Sequence, residues 1–199
     1  MAGEANHYFD VDPSSSSEPR AVDLVLPDLT VTLHSDRGVF SADQVDPGTR
    51  LLLLDAPMPE PGDANVLDLG CGYGPIARTL AQRAVGAHVW AVDVNSRARA
   101  LTAANLDGFA ATVASPDDVP DDVQFDLIWS NPPIRIGKQA LHQLLTMWLD
   151  RLTPEGRAIL VVQKHLGADS LARWLTNQGW ATTRLCSRRG YRLLEVRAR

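Results

Sequence analysis

Cysteine is nearly absent from this chain: there are two in 199 residues, Cys71 and Cys186, 115 positions apart. That spacing fits no zinc motif and no disulfide framework, so no metal is expected. Cys71, set between glycines, reads as a small residue in a tight turn. Apolar runs such as LLLL (51 to 54) fall far short of the ~20 residues a membrane span needs. The opening MAGEANHYFDVDP has neither the basic nor the apolar region of a secretory signal. These absences lead us to expect a cytoplasmic protein without membrane attachment, and the length suits one well-buried core rather than two full domains.

Basic residues are scarce in the first two-thirds of the chain. Residues 1 to 130 hold 7 Lys+Arg against 20 Asp+Glu, a balance of -13, whereas residues 131 to 199 hold 12 against 4, a balance of +8. Such an asymmetry points to an anionic partner on one side of the molecule, with a solvated basic surface as the plainer reading.

What is present falls into two parts. Residues 1 to 60 read as an N-terminal extension: a short HYFD segment, a serine-rich loop (DPSSSSEP), a hairpin from VDLVL and LTVTLH, a turn-rich loop SDRGVFSADQVDPGT, and a helix over TRLLLLDA. From residue 61 to 199 strands alternate with helices. NVLDLG, HVWAVDV, ATVAS, QFDLIWS and GRAILVVQK are expected strands; PIARTLAQRA, SRARALTAANLDG, KQALHQLLTMWLDRL and DSLARWLTNQ are expected helices, the second capped by Ser96. This alternation predicts an α/β domain with a mostly parallel sheet covered on both faces. The last two strands are joined by only SRRG and should pair antiparallel.

Two loops carry chemistry. VLDLGCGYGP (66 to 75) leaves the first strand with Gly70, Gly72 and Gly74, which let the backbone bend sharply and approach a ligand. Its G-x-G-x-G spacing differs from the dinucleotide G-x-G-x-x-G, and Asp68 ahead of it suits an ammonium group better than a pyrophosphate. The plainer reading of Asp68 is an acid capping the turn. Asp93 lies 23 residues after Gly70, about where an acid grips a ribose diol in such folds. S-adenosylmethionine, an amino acid at one end and a nucleoside at the other, meets both requirements. The second loop, SNPPIRIGK (130 to 138), ends a buried strand abruptly, because neither proline has an N–H to pair and each fixes its own φ. The Asn131 side-chain oxygen and the Pro132 carbonyl are two rigid acceptors able to hold an amino group and aim its lone pair.

Together RGVFSADQVDPGT, VLDLGCGYGPIA, AVDVNSRA, the stretch ending in SNPPIRIGK, and RGYRLLEV resemble the class I S-adenosylmethionine-dependent methyltransferases that modify amino nitrogens. Within these, the chain is similar from about residue 22 onward to the small methyltransferase family typified by ribosomal RNA guanine-N2 methyltransferases. The resemblance implies a Rossmann-like fold with a seven-stranded sheet, mostly parallel with an antiparallel closing strand, and RNA as the partner. It implies a cofactor-binding set of Asp68, Gly70, Cys71, Gly72, Asp93, Val94, Ala114, Ser115 and Asn131. Asp68, Gly70 and Gly72 would face the methionine part, Asp93 the ribose, and Ala114 with Ser115 the adenine. Asn131, Pro132 and Pro133 would form the catalytic corner, and Phe40, Ile134, Arg135 and Lys138 would touch substrate. Two departures stand out. Many relatives have an acid where Ser115 stands, and those with an established base target usually have an aromatic where this chain has Ile134. Protein glutamine N-methylation and a non-catalytic cofactor-binding module are the competing readings.

Overall fold

The computed structural model describes residues 15–199. The expected HYFD segment and the start of the serine-rich loop lie outside that range. Strands β1 (Pro19–Val25) and β2 (Thr30–Asp36) form the hairpin, and α1 (Pro47–Asp55) follows the loop after it. The alternation then runs β3 (Asn65–Leu69), α2 (Pro75–Arg83), β4 (His88–Val92), α3 (Ser96–Asn105), β5 (Ala111–Ala114) and β6 (Phe125–Ser130). It closes with α4 (Lys138–Leu149), β7 (Leu152–Gln163), α5 (Ala168–Asn177), β8 (Ala181–Arg188) and β9 (Tyr191–Arg197).

The seven-stranded sheet has the order β5-β4-β3-β6-β7-β9-β8. The strands from β5 to β7 pair in parallel; β9 is antiparallel to both β7 and β8. The α/β class, the parallel core and the antiparallel closing pair therefore stand as the sequence predicts. Chain order reverses between β3 and β6, so the carboxyl ends of these strands, Leu69 and Ser130, lie side by side. A switch point of this kind opens a crevice where a ligand settles.

Alternating residues of each buried strand feed two apolar layers. Val66, Leu127 and Ile159 face a layer built with Leu24, Leu33, Leu52 and Leu80, so the hairpin, α1 and α2 share one core with the sheet. Leu67, Ile128 and Leu160 face the other layer, with Leu145, Trp148 and Leu175 from α4 and α5. The hairpin is also tied down by Asn105 of α3, whose side chain accepts from His34 N and donates to His34 O, both at 2.8 Å.

Local expectations needed small corrections. Asn95, not Ser96, caps α3: its backbone is extended and its side-chain oxygen accepts from Ala98 N at 3.0 Å. Strand β7 begins at Leu152 instead of Gly156, because Leu152 pairs with Phe125 before a bulge resets the register. Among the described residues no helix is long and apolar enough to cross a membrane.

Candidate active site

The crevice at the switch point is a cleft of about 420 Å³, within the range of small-ligand pockets. The loop after β3 forms one wall. Gly70 and Gly72 have φ of +77° and +58°, and a Cβ on either would meet nothing within 4 Å. They are glycines because of their left-handed backbone, and the open space above them is room for a ligand to lie against the chain. The loop is held from outside: Gly70 N and Cys71 N both donate to Val92 O, at 2.8 and 3.0 Å, and Thr102 Oγ1 donates to Gly72 O at 2.8 Å.

Asp93 leaves the carboxyl end of β4 and lines the cleft. Its Oδ2 accepts from Gly72 N and its Oδ1 from Asn95 N, each at 2.9 Å, so it links the glycine loop to the start of α3. Burial raises its pKa, opposed by the Asn95 and Gly72 N–H groups and by Arg99. Each carboxylate oxygen keeps a second lone pair for a hydroxyl donor.

Asp68 is fully buried below the loop. Its Oδ2 accepts from Ala77 N at 2.8 Å, in the first turns of α2, while Oδ1 has no hydrogen-bond partner among the described residues. Burial pushes the carboxyl up to about 8, against the Ala77 N–H and with the nearby Asp93 charge adding to the rise. The folded chain thus keeps a proton that the unfolded chain releases near pH 4. Between about pH 4 and 8 the unfolded state binds fewer protons, so this acid makes stability fall as pH rises through that window and is without slope above it. Asp68→Asn holds no such proton. Its melting temperature, followed by calorimetry without ligand, is expected to gain a few °C on the wild type between pH 5 and 8; parallel curves would show that ionised Asp68 is accommodated at no cost.

The other wall is the NPP corner. Ser130 Oγ donates to Leu69 O at 2.7 Å, pinning the end of β6 to the end of β3. Asn131 Nδ2 donates to Asp46 Oδ2 at 2.9 Å and to Thr49 Oγ1 at 3.0 Å. Both anchors take the amide nitrogen, which turns the side-chain oxygen to the opposite side. Pro132 O accepts from Ile134 N at 2.8 Å, a tight turn about Pro133 that leaves the second carbonyl lone pair open.

The structure brings most of the expected residues to one place: Phe40, Gly70, Gly72, Asp93, Val94, Asn131, Pro132, Pro133, Ile134 and Arg135 all line the cleft. Phe40 is 42% exposed there. Cys71 is buried beside a smaller side pocket with Phe40 and Asp46, and burial pushes its thiol well up. Ala114 is buried behind the wall, Ser115 Oγ is engaged by Asp118 Oδ2 at 2.6 Å, and Pro116 forms the lining instead. Lys138 is not brought to the cleft. Gly137, at φ +96°, turns the chain, and Lys138 joins Gln139, His142 and Met147 on the outer groove of α4. Sequence reasoning missed Asp46 and Tyr191, which also line the cleft. The signal for Asp46 was local: an acid before Pro-Gly-Thr is a helix N-cap followed by a proline in the first turn.

Glycine loop, cleft-lining Asp93 and NPP corner meet at the switch point of this sheet, the layout of an S-adenosylmethionine-dependent methyltransferase. The chain belongs to the methyltransferase small domain family, whose model matches residues 30–195. It is 32% identical to the uncharacterised Bacillus subtilis protein YbxB, with 97% of this chain and 98% of that protein covered. It is 35% identical to the ribosomal RNA small subunit methyltransferase C of Chromohalobacter salexigens, with 83% of this chain and 51% of the relative covered. Among solved structures it is similar to a T. thermophilus 16S rRNA N2 G1207 methyltransferase in complex with AdoMet and guanosine, at a TM-score of 0.75 and 27% identity. That match covers 94% of this chain and 52% of the other. The chain therefore spans about half the length of these ribosomal RNA methyltransferases.

Proposed function

We propose that this protein transfers a methyl group to the exocyclic amine of a guanine in ribosomal RNA. The observation that carries the reading is the anchored Asn131 amide, whose nitrogen is held by Asp46 and Thr49 so that its oxygen serves as a fixed acceptor in the cleft. S-adenosylmethionine, when bound, supplies a methyl group made electrophilic by its sulfonium. Gly70, Gly72, Asp93 and Val94 would hold it, with Asp68 beneath the methionine end.

The amine of a guanine is a poor nucleophile because its lone pair is spread into the ring. Asn131 Oδ1 and the open lone pair of Pro132 O each accept one N–H. This favours a tetrahedral nitrogen and turns its lone pair toward the donor side of the cleft. The prolines keep both acceptors in place, so little entropy is lost at the moment of reaction. The nitrogen sheds its proton after it has become cationic, and no base on the protein has to act first.

The fold also sorts the basic C-terminal third. Arg157, Arg188, Arg192, Arg197 and Arg199 are spent on ion pairs with acids of the same chain, and Arg151 packs over Phe125 and Trp148. Arg135, Lys138, Lys164, Arg173, Arg184 and Arg189 make no ion pair among the described residues, and three of these lie toward the cleft end of the sheet. Arg135 lines the cleft; Lys164 follows the carboxyl end of β7, and its N–H donates to Gly190 O in the β8–β9 turn that holds Arg189. Three cations on the rim of one sheet edge suit the phosphates of an RNA. On this reading the protein works on ribosomal RNA in the cytoplasm.

Incubation with tritiated S-adenosylmethionine and separate fractions of RNA, ribosomal subunits and protein identifies the polymer that gains label. Label on guanine N2 of ribosomal RNA is expected. Label on protein glutamine, or no label in any fraction, would overturn the reading in favour of protein methylation or of a non-catalytic module.

A further inference from the structure

One carboxylate oxygen in the cleft is accounted for neither by the donor nor by the amine clamp. Asp46 caps α1, and all its hydrogen bonds fall on one oxygen: Oδ2 accepts from Gly48 N at 2.7 Å, Thr49 N at 3.0 Å and Asn131 Nδ2 at 2.9 Å. Its second oxygen, Oδ1, accepts from no described residue, and the side chain lines the cleft with Asn131 and Pro132. Three donors on Oδ2 leave the carboxylate little freedom to rotate. Tyr191 closes it in from the side, since a Cβ on Gly48 would stand 2.7 Å from the Tyr191 ring and 2.9 Å from Asp46 Oδ2.

The cleft therefore offers three acceptors in one neighbourhood: Asp46 Oδ1, Asn131 Oδ1 and Pro132 O. An ionised carboxylate can only accept, so the group opposite Asp46 must donate. A guanine edge carries an N1–H directly beside its amine, three N–H bonds in all. Adenine and cytosine place a bare ring nitrogen beside theirs, and a glutamine side chain has only two N–H bonds to give. We infer that Asp46 accepts the N1–H of the target base through Oδ1 and so selects a guanine over a base that has no ring N–H beside its amine. The inference rests on the guanine reading of the preceding section and names the residue that enforces it.

Guanosine and 2-aminopurine riboside share the amine and differ at position 1, a donor in the first and an acceptor in the second, and at position 6, where only guanosine carries an oxygen, so the comparison with D46N isolates the contact at position 1. Their affinities for the protein saturated with S-adenosylhomocysteine are measured by ligand-observed NMR titration. The wild type is expected to bind guanosine at least about fivefold more tightly, the low end of the discrimination carried by a specific base contact. Asp46→Asn keeps a competent helix cap, with the amide oxygen serving the three donors and the NH2 taking the place of Oδ1. The preference is then expected to vanish or invert. An unchanged preference in D46N overturns the assignment while leaving guanine methylation standing. A wild type that binds both nucleosides alike overturns it whatever the stability of the variant. Absence of guanosine binding, together with label on protein in the fractionation experiment, removes the guanine reading and this inference with it.

Discussion

Asn131→Ala is expected to bind S-adenosylmethionine as the wild type does and to transfer methyl groups about 10²- to 10³-fold more slowly, the loss seen when one preorganised polar group is removed from an active site. The side chain directly follows β6, and the glycine loop does not depend on it: Gly70 and Cys71 are held by Val92 O, and Gly72 by Asp93 and Thr102. Calorimetric affinity for the donor should therefore stay within a factor of two or three, while single-turnover transfer collapses. The anchors provide a graded test. Thr49→Val removes one of two partners of the Asn131 amide while Asp46 keeps the other, so a loss of only a few-fold in kcat is expected, as for a positioning residue. Full activity in Asn131→Ala would mean that the Pro132 carbonyl alone orients the amine.

The parts of this site that are local were legible in the sequence. A glycine loop between a strand and a helix, or an Asn-Pro-Pro stop after an apolar run, is set by the conformational freedom of a few consecutive residues, and each is found where the pattern places it. The switch point was legible at one remove, because alternating strands and helices imply a parallel sheet and such a sheet reverses somewhere. What was not legible depends on partners far apart in the chain. Asp46 and Asn131 are 85 positions apart and meet through one hydrogen bond; nothing in either neighbourhood announces the other. The charge asymmetry was legible only as a sum, for the same reason. Arg157 is buried against Asp63 and Arg188 pairs with Asp55, acids from the first third of the chain, while Arg192 pairs with Asp169 of its own region. Lys138 follows Arg135 closely in sequence, yet one left-handed glycine sends it to another surface.

The plain alternative for Asp68 also gains weight from the structure. Its Oδ2 caps the start of α2 through Ala77 N, as an acid holding the turn should. Oδ1, buried and without a partner among the described residues, is what a purely structural role leaves unexplained. A neutral acid kept in readiness beneath the loop costs less in the empty protein than a bare carboxylate, and an arriving ammonium group would favour its ionised form.

Asp93→Ala is expected to reduce S-adenosylmethionine affinity at least about 10²-fold by calorimetry, since hydrogen bonds to a charged group contribute about 1.5–3 kcal/mol each. Two losses combine. The acceptor proposed for the ribose diol disappears, and so does the link between Gly72 N and Asn95 N that holds the glycine loop against α3. A donor analogue lacking the ribose 2′-hydroxyl separates them, through a cycle in which protein and ligand are each changed singly and together. If Asp93 grips the diol, the analogue binds the wild type more weakly than its parent does, and Asp93→Ala no longer distinguishes the two. If Asp93 acts only as a loop anchor, the analogue costs the same in both proteins while the melting temperature of the variant falls. Unchanged affinity in Asp93→Ala would remove this carboxylate from the donor site altogether, because no geometry that keeps it in the cleft and bonded to the glycine loop is indifferent to its loss.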